Sequence, residues 1–335
     1  MTHSRLLRRL SCVLLCVFLC SLPVSAFVIG TKADLDALHP SPENSDPLPA
    51  QNAAPIATNL EFFTYKNVAI TEKLGSFDPE GDIVKYRVTK NPARGSVTLS
   101  DDGSMSFTYT PYENKTGKDS FTYVAEDAKG NSSEPATVKL RIQKPRTKVS
   151  YADMQGNPAH KAAIRLAELD VLVGQRIGDT YFFQPNQTVS REEFLTLAMD
   201  TLDTKLLSDA VSTGFTDDAA IATWAKPYVA TALYKGTITG SSNGEGESVF
   251  LPNQVMSRGE AGVLLNRLLQ LSNVSKTAED VPSWASQSVA NLDAVGIMSK
   301  DVALSEPLSK AEAATLLSAT LDLLESRSTM NSPLF

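Results

Sequence analysis

Three short segments set a cation at the start of a helical pattern: Ser190-Arg191-Glu192-Glu193, Ser257-Arg258-Gly259-Glu260 and Ser309-Lys310-Ala311-Glu312. A Ser three residues before a Glu has the spacing of a capping box, in which each side chain bonds the other residue's backbone N–H. A basic side chain in the first helical position opposes the helix dipole by roughly 0.3–1 kcal/mol, because positive partial charge already gathers there. One such residue is chance, but three in register suggest a use. Free N–H groups at a helix start, joined to a fixed cation, form a site for an anion. The competing assignment is an ion pair from each cation to Asp153, Asp217 or Asp280. Exposed pairs of that kind contribute little.

The cations belong to three copies of one helix–loop–helix unit, clearest over 214–271 and repeated over 150–203 and 277–325. Trp224 lies 16 residues before Gly240, and Pro158 stands 16 before Gly174. Trp284 aligns with Trp224, but Lys300 then occupies the glycine's place. Three, six, seven and eleven positions after each cation come Phe194/Ala261/Ala313, Leu197/Leu264/Leu316, Ala198/Leu265/Leu317 and Leu202/Leu269/Leu321. That spacing is one apolar helix face, read here as core. A unit of this size needs its neighbours to bury that face.

The three copies resemble S-layer homology (SLH) motifs, whose pattern runs Phe-x-Asp-Val, Trp-Ala, Gly-x-x-Asp-Gly-x-Phe-x-Pro, Thr-Arg-Ala-Glu. The resemblance covers about residues 150–325 and implies an all-α, pseudo-threefold helical bundle. It also implies grooves between motifs that hold an anionic, commonly pyruvylated, secondary cell-wall polysaccharide. Matched by position, the family's basic groove residue falls on Arg191, Arg258 and Lys310, its aromatic on Trp224 and Trp284, and its turn glycines on Gly174 and Gly240. The first copy has Pro158 where the Trp belongs. In the third, Lys300 and Lys310 are only 10 residues apart, against 17 and 18 in the other copies, so its groove is expected to be degenerate. Lys310 also lacks the planar fork that pairs bidentately with a carboxylate. These departures favour a working groove lined by Arg258 and Trp224.

Met1–Ala26 reads as a secretory leader: Arg5, Arg8 and Arg9, an apolar run from Leu10 to Leu22, then Val24-Ser25-Ala26. Cys12, Cys16 and Cys20 all lie within it, so the expected mature chain has neither disulfide nor thiol nucleophile. Losing three Arg would take the net charge from −7 to −10. That surface disfavours nucleic acid and anionic membrane, and the mature chain is expected to contain no membrane span. Residues 27–54 read as an extended linker rich in Pro, Ala, Asp and Asn.

Over 55–143, seven alternating runs separated by Asp- and Gly-rich turns predict an all-β antiparallel sandwich, with Phe107, Tyr109, Phe121 and Tyr123 in its core. Its Gly, Asp-Gly, Tyr-Thr-Pro, Gly-x-Asp-x-Phe-x-Tyr skeleton resembles bacterial cadherin-like and Ig-like domains. Asp78, Glu80, Asp82 and Asp127 could gather around Ca²⁺, which takes six to eight oxygens. Ordinary turn chemistry also places Asp there. A basic connector, 144–149, leads into the repeats, and 326–335 read as a polar tail.

No catalytic constellation stands out. The mature histidines are only His39 and His160, and no Gly-rich loop precedes a helix to cradle phosphate. The expectation is therefore a secreted, non-enzymatic surface protein without cofactor. Its repeats would bind a wall polysaccharide or a peptidoglycan-linked glycan, and its Ig-like module would serve as spacer or adhesin. Two alternatives remain open: a structural S-layer component acting by self-association, and a carbohydrate-binding accessory of a wall-active enzyme.

Overall fold

Alternation of apolar and polar residues gives strands wherever the sequence showed it. The computed structural model describes residues 52–330, apart from 82–84, 208, 209, 211, 276, 279 and 280. The expected leader, most of the 27–54 linker, Asp82 and Asp280 lie outside the described residues. The seven expected strands are β2 (Leu60–Tyr65), β3 (Ile70–Lys73), β5 (Lys85–Lys90), β6 (Gly95–Leu99), β7 (Ser106–Pro111), β8 (Gly117–Glu126) and β9 (Ala136–Gln143). Two short strands, β1 (Ile56–Ala57) and β4 (Ser76–Phe77), pair with each other. One sheet runs β2-β9-β8-β5 and the other β3-β7-β6. The expectation of a wholly antiparallel module needs one correction, because β2 and β9 are parallel. A parallel pair cannot be joined by a hairpin. Here the rest of the module supplies the long connection.

Phe107, Tyr109, Phe121 and Tyr123 are fully buried between the sheets. The Tyr109 hydroxyl donates to Asp119 at 2.7 Å, and Asp119 also accepts the N–H groups of Ala93 and Arg94. The Tyr123 hydroxyl reaches the carbonyl oxygens of Thr58 and Gly75, both at 2.7 Å. A Cβ at Gly95 would lie 2.6 Å from the Thr110 carbonyl oxygen and 2.6 Å from the Tyr109 ring. The Gly and Tyr of the recurring skeleton are thus one packing unit.

The acidic loops are organised by hydrogen bonds rather than gathered as cation ligands. Asp127 accepts from the Lys129 and Asn131 N–H groups and from the side-chain amides of Asn131 and Asn52. Glu80 accepts the N–H of Ala53, and Asp78 accepts that of Glu80. Among the described residues, no three acidic or other ligating side chains come together as a metal would require. Of the four residues expected to gather around Ca²⁺, Asp78, Glu80 and Asp127 serve turns and the 52–53 segment, and Asp82 lies outside the described residues.

The helical region holds three units. The first has α1 (His160–Glu168), a hairpin of β10 (Gln175–Ile177) and β11 (Thr180–Phe182), and α2 (Arg191–Thr201). The second has α3 (Lys226–Tyr234), a hairpin of β12 (Ser241–Ser242) and β13 (Ser248–Val249), and α4 (Arg258–Leu269). The third has α5 (Ser283–Ala294) and α6 (Lys310–Met330), joined by a short loop. Each opening helix packs on the second helix of a different unit: α1 on α6, α3 on α2, α5 on α4. Phe194, Ala261, Ala313, Ala198, Leu265 and Leu317 are fully buried at the centre. No helix among the described residues is long and apolar enough to cross a membrane.

One expectation about the ends of the repeats is corrected. The helix α6 continues through 326–330, where a tail was expected. Arg165 of α1, almost completely buried, holds it there through Asp322 at 2.6 Å and Glu325 at 2.7 Å. The sandwich packs directly on the first unit. Tyr65 and Val68 are buried with the helical core, and the Tyr65 hydroxyl donates to Glu168 at 2.8 Å. Lys161 pairs with Glu72 at 3.2 Å and lies 4.5 Å from the centre of the Phe63 ring.

Gly95→Ala should destabilise the sandwich by about 1–3 kcal/mol, as overpacking of a filled site does. Chemical denaturation followed by tyrosine fluorescence checks it. An unchanged midpoint would contradict the packing account of this glycine.

Candidate functional site

The segments that precede α2, α4 and α6 meet around one point. Val189 N–H donates to the Leu308 carbonyl at 3.0 Å, Leu308 N–H to Met256 at 2.8 Å, and Met256 N–H to Val189 at 2.9 Å. These three bonds close a ring. The next two N–H groups repeat the pattern one unit round. Arg191 donates to Gln254 and Glu192 to Pro252; Arg258 to Glu306 and Gly259 to Leu304; Lys310 to Gln187 and Ala311 to Pro185. All three capping boxes form, with Ser190, Ser257 and Ser309 each accepting the N–H of Glu193, Glu260 or Glu312.

This geometry corrects the proposed anion site at the helix starts. The first three N–H groups of α2, α4 and α6 are all occupied, so none is free to bind a ligand. What remains is side-chain charge. Each arginine leans across to the next unit's capping glutamate. Arg191 lies 3.5 Å from Glu260, and Arg258 lies 2.6 Å from Glu312. Lys310 bonds Gln187 at 2.8 Å in the field of Glu193 and of Asp153, the Asp of the first opening motif. Asp153 and Asp217 do different work. Asp153 accepts the N–H groups of Phe183 and Gln184, and Asp217 those of Phe250 and Leu251. Gln184 and Leu251 have φ near +60° immediately before a proline, so a carboxylate holding both N–H groups fixes a strained turn.

One cavity of about 170 Å³ opens beside the ring. It takes Arg191 from the first unit, Gly240, Phe250, Glu260 and Arg267 from the second, and Trp284 from the third. Arg191 lies 5.6 Å from the centre of the Phe250 ring. Its Nε is buried and has no hydrogen-bond partner, as is that of Arg258. Burial pulls the Arg191 pKa below its ordinary value; Glu260 opposes the shift and the Arg267 charge adds to it. Trp284 is 55% exposed at the cavity. The arrangement suits an anion joined to a flat apolar ring surface, which is the chemistry of an acidic sugar on an aromatic platform.

The sequence-derived residues thus divide. Arg191, Gly240 and Trp284 come together. Neither Arg258 nor Trp224, expected to line the working groove, lines this cavity, although Trp224 is 56% exposed. Gly174 and Gly240 have structural reasons for being glycine. A Cβ at Gly240 would lie 2.6 Å from the Phe215 ring, and one at Gly174 would lie 2.6 Å from the Phe182 carbonyl oxygen. Arg267 went unnoticed in the sequence because the register puts Asp200 and Ala319 at its equivalents.

A family model described as a bacterial Ig domain matches residues 52–141. Another, described as the S-layer homology domain, matches residues 214–261. The chain carries a bacterial Ig domain followed by an S-layer homology domain. The SLH domain marks it as a protein of the cell wall or cell surface. Two relatives are carbohydrate-active enzymes. The exoglucanase XynX of Acetivibrio thermocellus is 36% identical over 99 residues, which are 29% of this chain and 9% of the relative. The amylopullulanase of Thermoanaerobacterium thermosulfurigenes is 34% identical over 98 residues, 28% of this chain and 5% of the relative. The chain therefore spans less than a tenth of either enzyme's length. Among solved structures, an endo-fucoidan hydrolase of glycoside hydrolase family 107 is similar at 23% identity and a TM-score of 0.24. That match covers 29% of this chain and 14% of the other.

The capping carboxylate Glu312 adds an acid-sensitive element to the helical region. Burial would raise the Glu312 pKa, but its bonds to Ser309 and Arg258 win and hold it below 4.5. A lowered folded pKa contributes stability above the unfolded value and loses it as pH falls through the folded one. Glu312→Gln should lower the melting temperature at pH 7 and narrow the gap to wild type below pH 4. Thermal denaturation across pH 3–7 reads this, and a constant gap over that range would contradict it.

Proposed function

We propose that the three helical units form an SLH triplet, a pseudo-threefold bundle that anchors the protein noncovalently to an anionic secondary cell-wall polysaccharide. The observation that carries this reading is the cavity in which Arg191, Glu260, Arg267 and Trp284, from three successive units, share one opening. Two guanidinium groups against one carboxylate leave a single positive charge inside a chain whose net charge is −7. Binding therefore rests on local placement of cations, not on the protein's overall field. The chain acts by binding and carries out no chemistry of its own. The Ig-like module is displayed at the surface as a spacer or adhesin, held against the first unit by Tyr65, Glu168, Lys161 and Glu72.

In co-sedimentation with purified wall sacculi, the whole mature protein should be retained, and Arg191→Ala should weaken retention at least about tenfold. That is the scale of one charge-assisted hydrogen-bonded contact, about 1.5–3 kcal/mol. Arg258→Ala should weaken it less. Failure of the wild-type protein to sediment would overturn the anchoring function, and equal retention of Arg191→Ala would remove the groove from it.

A further inference from the structure

The ring gives each groove a rule of composition. In the groove that the structure opens, the cation comes from one unit, the turn from the next and the tryptophan from the third: Arg191, Gly240 and Trp284. The same step carried round from Arg258 reaches the third unit, where Lys300 replaces the glycine and there is no hairpin among the described residues. It then reaches Pro158 of the first unit in the tryptophan's place. The contact of Arg258 with Glu312 of the third unit follows this order. Carried round from Lys310, the step reaches Gly174 and then Trp224, but the Lys310 ammonium is already bonded to Gln187. The departures of the first and third copies thus fall together on the Arg258 groove. The third copy, the most altered of the three, still gives the first groove its aromatic.

Arg267 sets the first groove apart further. It stands on α4, nine residues after Arg258, and lines the same cavity as Arg191. Its side chain is exposed and makes one long bond, 3.3 Å, to the Thr237 carbonyl. At the equivalent positions stand Asp200 and Ala319, so neither other groove has such a second cation. Arg191 keeps an unpartnered Nε beside a guanidinium nitrogen that reaches Glu260 only at 3.5 Å. A carboxylate that entered the cavity would give this buried, unpartnered edge of the fork the acceptor it lacks.

We infer that this chain binds its acidic sugar in the Arg191 groove alone. Arg267 is the second cation of a two-arginine clamp for a sugar carboxylate, and Trp284 is the surface on which the sugar ring stacks. The inference rests on the anchoring function proposed above and names the one groove, out of three, that performs it.

The chain's only tryptophans, Trp224 and Trp284, make the test direct. Soluble polysaccharide released from sacculi is titrated into the whole mature protein while tryptophan emission is recorded. A parallel titration uses polysaccharide whose carboxylates have been reduced with carbodiimide and borohydride. The native polymer should change the emission of Trp224→Phe and leave that of Trp284→Phe unchanged, and the reduced polymer should change neither. Arg267→Gln should shift the midpoint about tenfold. Arg267→Lys should recover part of that shift, which a purely structural role for the Thr237 bond would not give. Arg258→Gln should leave the midpoint in place.

A response that disappears in Trp224→Phe, a midpoint indifferent to Arg267→Gln, or equal responses to native and reduced polymer would overturn the assignment. If that happens while sacculi still retain the protein, anchoring stands and only the groove is wrong. If sacculi do not retain the protein, the anchoring function falls as well.

Discussion

Three backbone hydrogen bonds, from Val189 to Leu308, Leu308 to Met256 and Met256 to Val189, are the constraint on which the helical region depends. They join residues far apart in the chain into a closed ring in which every donor has a partner. Buried backbone N–H groups must be paired, and one unit alone has no carbonyl in place to pair them. The first two N–H groups of each second helix are satisfied by the loop of a neighbouring unit. A unit removed from the ring would leave its neighbour's helix start unpaired and its own apolar face exposed. That gives physical content to the need of such a repeat for its neighbours.

The ring also decides what the cations can do. Because the helix-start N–H groups are occupied, Arg191, Arg258 and Lys310 gain no help from free backbone donors. Each faces a carboxylate that is itself tied into a capping box, so the acid is fixed and the base is aimed. For Arg191 the result is a guanidinium held between Glu260, the Phe250 ring and an open cavity, with part of its fork unused. Glu260 offsets one of the two guanidinium charges and leaves the cavity with a single positive charge, and the aromatic Trp284 supplies the apolar share of the surface. Partly buried charge of this sort is screened less by salt than charge on an open surface.

Local features were legible in the sequence. The alternation of Phe107, Tyr109, Phe121 and Tyr123 announced the sandwich core, and Ser-to-Glu spacing announced all three capping boxes. Both depend only on neighbours in sequence, where side-chain periods of two and 3.6 residues act directly. Relations between units were not legible. The groove shared by Arg191 and Trp284 brings together residues 93 positions apart in two different copies, and reading each copy by itself paired Arg258 with Trp224 instead. Arg267 was hidden for a related reason, since a search for what the copies share discards what one copy has alone. The parallel pairing of β2 with β9, the continuation of α6 past 325 and the docking of Tyr65 against Glu168 are likewise set by distant partners. The roles of Asp153 and Asp217 could have been found. An Asp recurs 30 and 33 residues before the Phe of a Phe-x-Pro turn, and a turn of that kind asks for an acceptor for its N–H groups.

The central claim is that acidic groups on the wall polymer, met by arginine in a groove between helical units, hold this protein at the surface. The most direct measurement is retention of the whole protein by intact sacculi compared with sacculi chemically stripped of their acidic secondary polymer, at matched ionic strength. The account predicts retention by the first and loss from the second. Equal retention by both would contradict it.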